Sequence, residues 1–252
     1  MTAPAELRTV VSVPARYRGP ETAANGGWIA AVVAEALGEA AREAPVEVTL
    51  HAPTPLDTEL NLVHHGNAVT LCRDGAGLVE AIPVAEPLGE PGFVPFNEAA
   101  RAEEGFAGLD GHPFPECFVC GMREPGDGLR IFPGPVPGTA GLHAAGWRVP
   151  MSVTGEDGVV PVPVVWAALD CVSGWASMRE GERPLLGRLT AQVHRRVYPG
   201  GAYSVVGAPL PGAEGRDGRK LTASSAIYEA DGTLVAVAKA VWILPRTAQD
   251  PQ

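Results

Sequence analysis

The chain is 252 residues long, 46% hydrophobic and 19% charged, with a formal net charge of −10. That is enough apolar material for a sizeable core and enough length for one or two domains, while the acidic balance opposes phosphate backbones and argues against a nucleic-acid partner. No run of eighteen apolar residues occurs, and no basic segment precedes an apolar block at the N-terminus, so neither a membrane span nor export is expected and the cytoplasm is the default location.

Alternating apolar and polar residues predict a first strand over 8–17, and the alanine-rich run that begins at Gly26 predicts a helix over 26–43. Four short strands follow, at 46–53, 58–65, 68–73 and 78–84. The second half repeats this order, with a strand at 141–150, a helix at 163–179, and strands at 187–197, 202–208, 220–229 and 233–244. The intervening residues 85–139 are rich in Gly and Pro and have too few regular apolar intervals for a third core, which reads as a linker with local order. The expected organisation is therefore residues 1–84, a linker 85–139 and residues 140–252.

Local signatures recur along with the element order. Leu50-His51 followed by Pro55 is echoed by Val193-His194 followed by Pro199, and Asp74-Gly75 before Leu78-Val79 is echoed by Asp231-Gly232 before Leu234-Val235. Each Asp-Gly pair is expected to make a tight turn into a final apolar strand. Several landmarks recurring in one order point to an internal duplication.

A long helix wrapped by an antiparallel sheet, present twice, resembles the double-hotdog acyl-CoA thioesterases. Three stretches carry the resemblance, Ala24-Asn25-Gly26-Gly27-Trp28, Trp166-Ala167-Ala168-Leu169-Asp170 and Asp231-Gly232-Thr233-Leu234-Val235-Ala236. The segment around Cys117 is also similar to actinobacterial thioesterase-like proteins. The fold this implies is α+β, a tandem hotdog with two long central helices wrapped by a continuous antiparallel sheet. The activity it implies is binding and hydrolysis of an acyl thioester, carried on CoA or on an acyl-carrier protein. A catalytically silent acyl-binding protein and a hotdog hydratase are the alternatives, although no Asp and His are paired as water addition requires. Homodimerisation through sheet faces fits the same resemblance.

Thioester hydrolysis needs a carboxylate to activate water and N–H groups to hold the developing oxyanion. Asp170 lies in an otherwise apolar helix, where an aspartate is costly unless it is paired or faces a cavity. The alternative is a hydrogen-bonding role beside Ser173-Gly174. In the thioesterase II group an aspartate at the corresponding place is implied to orient water, with a hydroxyl residue and a glutamine as companions. Leu186 and Ala240 fall at those two positions here, with Thr190 and Lys239 nearby as substitutes. Asn25, Gly26 and Gly27 open the first helix, where free N–H groups suit a thioester oxygen and Asn25 suits an N-cap. Single-domain hotdog enzymes place a carboxylate seven residues past the second glycine. Glu35 comes one residue later, which turns it by about 100° around the helix. Trp28, Trp166 and Trp175 are candidates for an acyl tunnel or for plain core.

Within the linker, Cys117-Phe118-Val119-Cys120-Gly121 presents two thiols in a tight turn. Such a pair suits zinc when two further ligands complete a tetrahedron, and His112, His143 and Cys171 are the available candidates, none at diagnostic spacing. Two buried structural cysteines are the simpler reading, and no cofactor is required. Arg123, Asp127 and Arg130 are expected to form an internal ion pair that docks the linker. Arg188, Arg195, Arg196 and Lys239 read as a solvated strand face or as a patch for a phosphorylated ligand.

Overall fold

The computed structural model describes residues 8–210 and 216–246. Alternation of buried and half-exposed side chains builds the first set of strands: β1 (Arg8–Val11), β2 (Val46–Leu50), β3 (Leu60–His65), β4 (Ala68–Arg73) and β5 (Ala76–Pro83). Val46 and Val48, Leu60 and Leu62, Val69 and Leu71, and Val79 and Ala81 all point into the core. Between β1 and β2 lie α1 (Gly26–Glu35) and the short α2 (Ala40–Glu43). The segment that follows contains α3 (Phe96–Ala102) and β6 (Gly134–Pro135). The later elements are β7 (His143–Arg148), α4 (Val162–Ser177), β8 (Leu185–Val193), β9 (Ala202–Pro209), β10 (Arg216–Asp217), β11 (Lys220–Tyr228) and β12 (Leu234–Ile243).

All the strands join one antiparallel sheet in the order β1-β3-β4-β5-β2-β8-β12-β11-β9-β7-β6, with β10 paired to β11. From each side toward the β2–β8 junction the order is the same, 1-3-4-5-2 on one side and 7-9-11-12-8 on the other. At that junction Val46 faces Ala191 and Val48 faces Leu189, so the sheet is continuous across the middle of the chain. Arg188 reaches across it to Glu47 at 3.3 Å and to the Thr49 hydroxyl at 3.1 Å. The solvated strand face expected around Arg188 is thus a cross-strand ion pair, of small energetic weight at the surface.

The helices lie against this sheet and against each other. α4 is buried nearly all round, from Pro163 through Ala176, and runs unbroken through Ser173-Gly174. The Ser173 hydroxyl donates to the Asp170 carbonyl at 2.7 Å and accepts from Trp242 Nε1 at 2.9 Å. A Cβ on Gly174 would lie 2.8 Å from the Trp242 ring, which explains the small residue.

Two expectations are corrected here. The helix expected over 26–43 stops at Glu35, because the following N–H groups of Leu37 and Gly38 turn back to the carbonyls of Ala34 and Glu35 and Gly38 takes a positive φ of 67°. Of the two central helices, one therefore has 10 residues and the other 16. The Asp-Gly turns also differ. Asp74 and Gly75 both have positive φ and form a two-residue hairpin between β4 and β5. Asp231 and Gly232 lie in a wider loop, closed by Glu229 N–H to Thr233 carbonyl at 2.9 Å.

The segment 85–139 is packed rather than draped. Phe106, Cys117, Phe118, Val119, Cys120, Leu129, Ile131 and Phe132 enter the main core, and Val94, Ala99, Ala102 and Val136 form a second cluster with Ala144, Val206, Ala226 and Tyr228. Apolar periodicity is weak because, apart from Ala99 and Ala102 on α3, the buried side chains come from turns and irregular segments. Arg123 anchors the segment as expected of an internal docking residue: its guanidinium donates to the Arg16 carbonyl at 2.8 Å and lies 3.7 Å from Asp127. Arg130 in turn donates to the Arg123 carbonyl.

Candidate functional site

A close contact between α1 and α4 at Gly27 sets the site. A Cβ on Gly27 would sit 2.5 Å from the Trp166 carbonyl oxygen and 2.7 Å from Asp170 Cβ, so only glycine allows α1 and α4 to meet there. That contact brings the start of α1 onto the side chain of Asp170. Asp170 Oδ2 accepts from the Gly27 N–H at 2.9 Å and from Asn25 Nδ2 at 3.0 Å. Asn25 also caps α1, its Oδ1 accepting from the Trp28 N–H at 2.9 Å. The capping role and the site role are performed by opposite ends of one amide.

Asp170 is 2% exposed, and its Oδ1 has no hydrogen-bond partner among the described residues. Burial pushes its pKa up to about 7, opposed by the Gly27 N–H, with Cys117 adding to the rise and Asn25 opposing it. It lines a cavity of about 240 Å³ together with Asn25, Gly26, Thr54, His112, Leu186 and Trp175. Gly26 is the first residue of α1, so its N–H has no intrahelical acceptor.

Thr54 and His112 are polar residues that also line this cavity. Thr54 is 3% exposed, and its hydroxyl has no partner among the described residues. It sits between Pro53 and Pro55, a context with no periodic signal to mark it. His112 Nδ1 accepts from the Phe114 N–H at 2.9 Å, which leaves the proton of the neutral ring on Nε2. Burial lowers the His112 pKa and favours that neutral form, with Cys117 and the Cys120 backbone opposing.

The cysteine turn reaches the same cavity. Cys117, Cys120 and Cys171 all line it, and their sulfur atoms lie within 4.8 Å of one another. Cys171 follows Asp170 on α4, and its Sγ is 3.7 Å from Cys117 Sγ. Hydrogen bonding from the neighbouring Cys120 and Cys171 thiols, with backbone N–H groups adding to it, holds Cys117 well below the ordinary thiol pKa, whereas burial pushes Cys120 up and hydrogen bonding to Cys117 pushes Cys171 up. Of the partners considered for the cysteine pair, Cys171 converges on it, while His143 lies on β7 between Pro135 and Gly207 and does not.

Several expected site residues lie elsewhere. Trp28 stacks on Tyr17 with ring centroids 4.5 Å apart, and Trp166 is buried in the helix contact; neither lines the cavity, whereas Trp175 does. Thr190 and Lys239 face each other across the β8–β12 ladder, outside the lining. Their strand register turns them away from the helix start, so they do not replace the missing companions. Leu186 does line the cavity, beside Gly26. Ala240 is fully buried opposite Leu189. Glu35, at the far end of α1, is outside the lining.

No protein-family model and no curated protein matches this sequence. Solved structures do match it in shape. A tesB protein of Mycobacterium avium subsp. paratuberculosis superimposes with a TM-score of 0.60 at 17% identity, over 95% of this chain and 93% of that one. An acyl-CoA thioesterase II, TesB2, of Mycobacterium marinum gives a TM-score of 0.52 at 12% identity, over 83% of this chain and 82% of that one. A hot dog fold protein of Alicyclobacillus acidocaldarius gives a TM-score of 0.52 at 13% identity, over 96% and 94%. The class is therefore the hotdog fold, a large antiparallel sheet with few helices. Within that class the chain is similar in structure to tesB-type acyl-CoA thioesterase II proteins along most of its length. No helix among the described residues is long and apolar enough to cross a membrane.

Proposed function

We propose that the chain is a tandem of two hotdog units, joined through residues 85–139, that binds an acyl thioester on CoA or a carrier protein and hydrolyses it with Asp170 as the base. The mirrored strand order about the β2–β8 junction supports the tandem reading. The observation that carries the chemistry is Asp170 itself: one carboxylate oxygen is fixed by two donors from the start of α1, and the other is unpartnered in a residue that lines the cavity.

In this reading the acyl group enters the cavity and a water is held by Asp170 Oδ1. The carboxylate takes a proton as the water oxygen bonds to the thioester carbonyl carbon. The C–S bond then breaks, and the proton passes to the leaving thiolate, giving a carboxylic acid and a free thiol. A pKa near neutrality suits a group that must both take and return a proton. The Gly26 N–H, the Thr54 hydroxyl and His112 Nε2–H are the donors available in the lining to meet the developing oxyanion. Leu186 and Ala240 at the companion positions favour a second reading, an acyl-binding protein without turnover.

The deciding experiment is a panel of acyl-CoA thioesters of graded chain length, with CoA release followed by chromatography for wild type and Asp170→Asn. Turnover lost in the variant while ligand binding persists supports hydrolysis at Asp170. Binding without release by wild type supports the silent protein.

A further inference from the structure

The three cysteines are free and buried, and their sulfurs gather in one cluster, all within 4.8 Å of one another. They come from two places far apart in sequence, the turn after Phe114 and the middle of α4, and each place is rigid. Cys117 N–H donates to the Phe114 carbonyl at 2.9 Å, and Gly121 N–H donates back to the Cys117 carbonyl at 3.0 Å, closing the turn that brings Cys120 round to Cys117. A Cβ on Gly121 would lie 2.5 Å from the carbonyl oxygens of both Cys117 and Pro115, so this turn demands glycine. The turn is tied down from outside as well, by Phe118 N–H to Arg18 carbonyl at 2.8 Å and Ile131 N–H to Val119 carbonyl at 2.9 Å. Cys171 is fixed on a helix buried nearly all round.

We infer that Cys117, Cys120 and Cys171 form a three-sulfur site for a thiophilic divalent cation, Zn²⁺ being the natural occupant, with the fourth coordination position facing the cavity that holds Asp170. A zinc–sulfur bond of about 2.3 Å sets the edge of a tetrahedron at about 3.8 Å, and the Cys117–Cys171 separation is 3.7 Å. All three sulfurs already lie within 4.8 Å of one another, so side-chain adjustments of up to about 1 Å close the set. Thiolates alone select soft or borderline ions over Mg²⁺ or Ca²⁺.

The surroundings suit bound thiolates. Asn25 Nδ2 lies 3.9 Å from Cys171 sulfur. Three thiolates around Zn²⁺ leave one net negative charge, which this donor faces. His112 is not the fourth ligand. Its Nδ1 is engaged by the Phe114 N–H, so in the neutral ring Nε2 carries a proton and offers no lone pair. The fourth ligand therefore comes from the cavity side, as water or an exogenous thiol. An ion with three protein ligands and one open position is the arrangement of reactive rather than purely structural zinc. The inference concerns metal binding and holds whether or not the protein hydrolyses a thioester.

The test uses full-length protein, reduced and stripped by a chelator, then titrated with Zn²⁺ alone and separately with Co²⁺. The expected result is one metal per chain, a Zn²⁺-concentration-dependent rise in Tm, and, for Co²⁺, visible bands of tetrahedral intensity with a thiolate-to-metal charge-transfer band. Cys120→Ser and Cys171→Ser should each abolish stoichiometric binding. Cys72→Ser, on β4 and outside the cluster, should leave it unchanged. Wild type that shows neither the Tm rise nor the charge-transfer band overturns the inference without recourse to any variant. Loss of binding in Cys72→Ser equal to that in Cys171→Ser overturns it too.

Discussion

The start of α1 and the middle of α4 meet at one contact but contribute different groups to it. α1 is short, opens on two glycines and contributes backbone: the Gly27 N–H, the uncommitted Gly26 N–H and the cap of Asn25. α4 is longer, buried nearly all round and contributes side chains, with Asp170 and Cys171 in succession. In the proposed tandem, only one helix need carry the reactive group, while the other supplies donors that hold it. The division also explains why Asp170 tolerates its burial: two donors from the other helix meet its Oδ2, at 2.9 and 3.0 Å.

Breaking the contact between the helices should have the largest effect. Gly27→Ala places a Cβ against the backbone of Trp166 and Ala167, which cannot yield as a side-chain tip could. A loss of about 3 kcal/mol or more is expected, measured as a shift in the urea midpoint. An unchanged midpoint would mean that the helices are not in contact at this residue. Removing the donor side comes next. Asn25→Ala deletes the helix cap, worth about 1 kcal/mol, and leaves the buried Asp170 carboxyl one donor short, for a total of about 2–3 kcal/mol. Asn25→Asp sharpens the comparison, because it keeps a capping oxygen while losing the donor to Asp170; it should be no more stable than Asn25→Ala. The smallest effect belongs to the end of α1. Gly38→Ala meets open space but must hold a positive φ, a cost of about 1 kcal/mol visible as a small drop in Tm.

Most strands were legible because alternation has a fixed physical meaning on a sheet. Val46 and Val48, or Leu60 and Leu62, announce their buried face without reference to anything distant. The helix over 163–179 was legible as a continuous apolar, alanine-rich run long enough for several turns, and the structure places it at Val162–Ser177. The end of α1 was missed because alanine-rich sequence continues past Glu35, and the single interruption, Gly38, is a weak stop without knowledge of its φ. The extent of packing in 85–139 was less legible, because Phe106, Phe118, Val119, Leu129, Ile131 and Phe132 lie outside helices and strands, where no period exists to read.

The site divides along the same line. Asp170 stands out in sequence as a charge in an apolar helix, and Asn25-Gly26-Gly27 as a helix start. Their meeting is tertiary, decided by where Gly27 lets the helices cross. The convergence of Cys171 on Cys117 and Cys120, 54 residues separating the first two, depends on the segment 85–139 folding back onto α4. No spacing rule records that approach. Thr190 and Lys239 were drawn in by proximity in sequence, and strand register excludes them from the lining.

The central claim is that Asp170 acts chemically and is not merely a buried hydrogen-bonding group. Asp170→Asn keeps an oxygen for the Gly27 N–H and the same shape, so folding should be retained, as read by Tm. On the acyl-CoA that wild type turns over fastest, the account predicts a fall in kcat of about 100-fold or more at unchanged ligand affinity. A folded Asp170→Asn protein that releases CoA at the wild-type rate would contradict it.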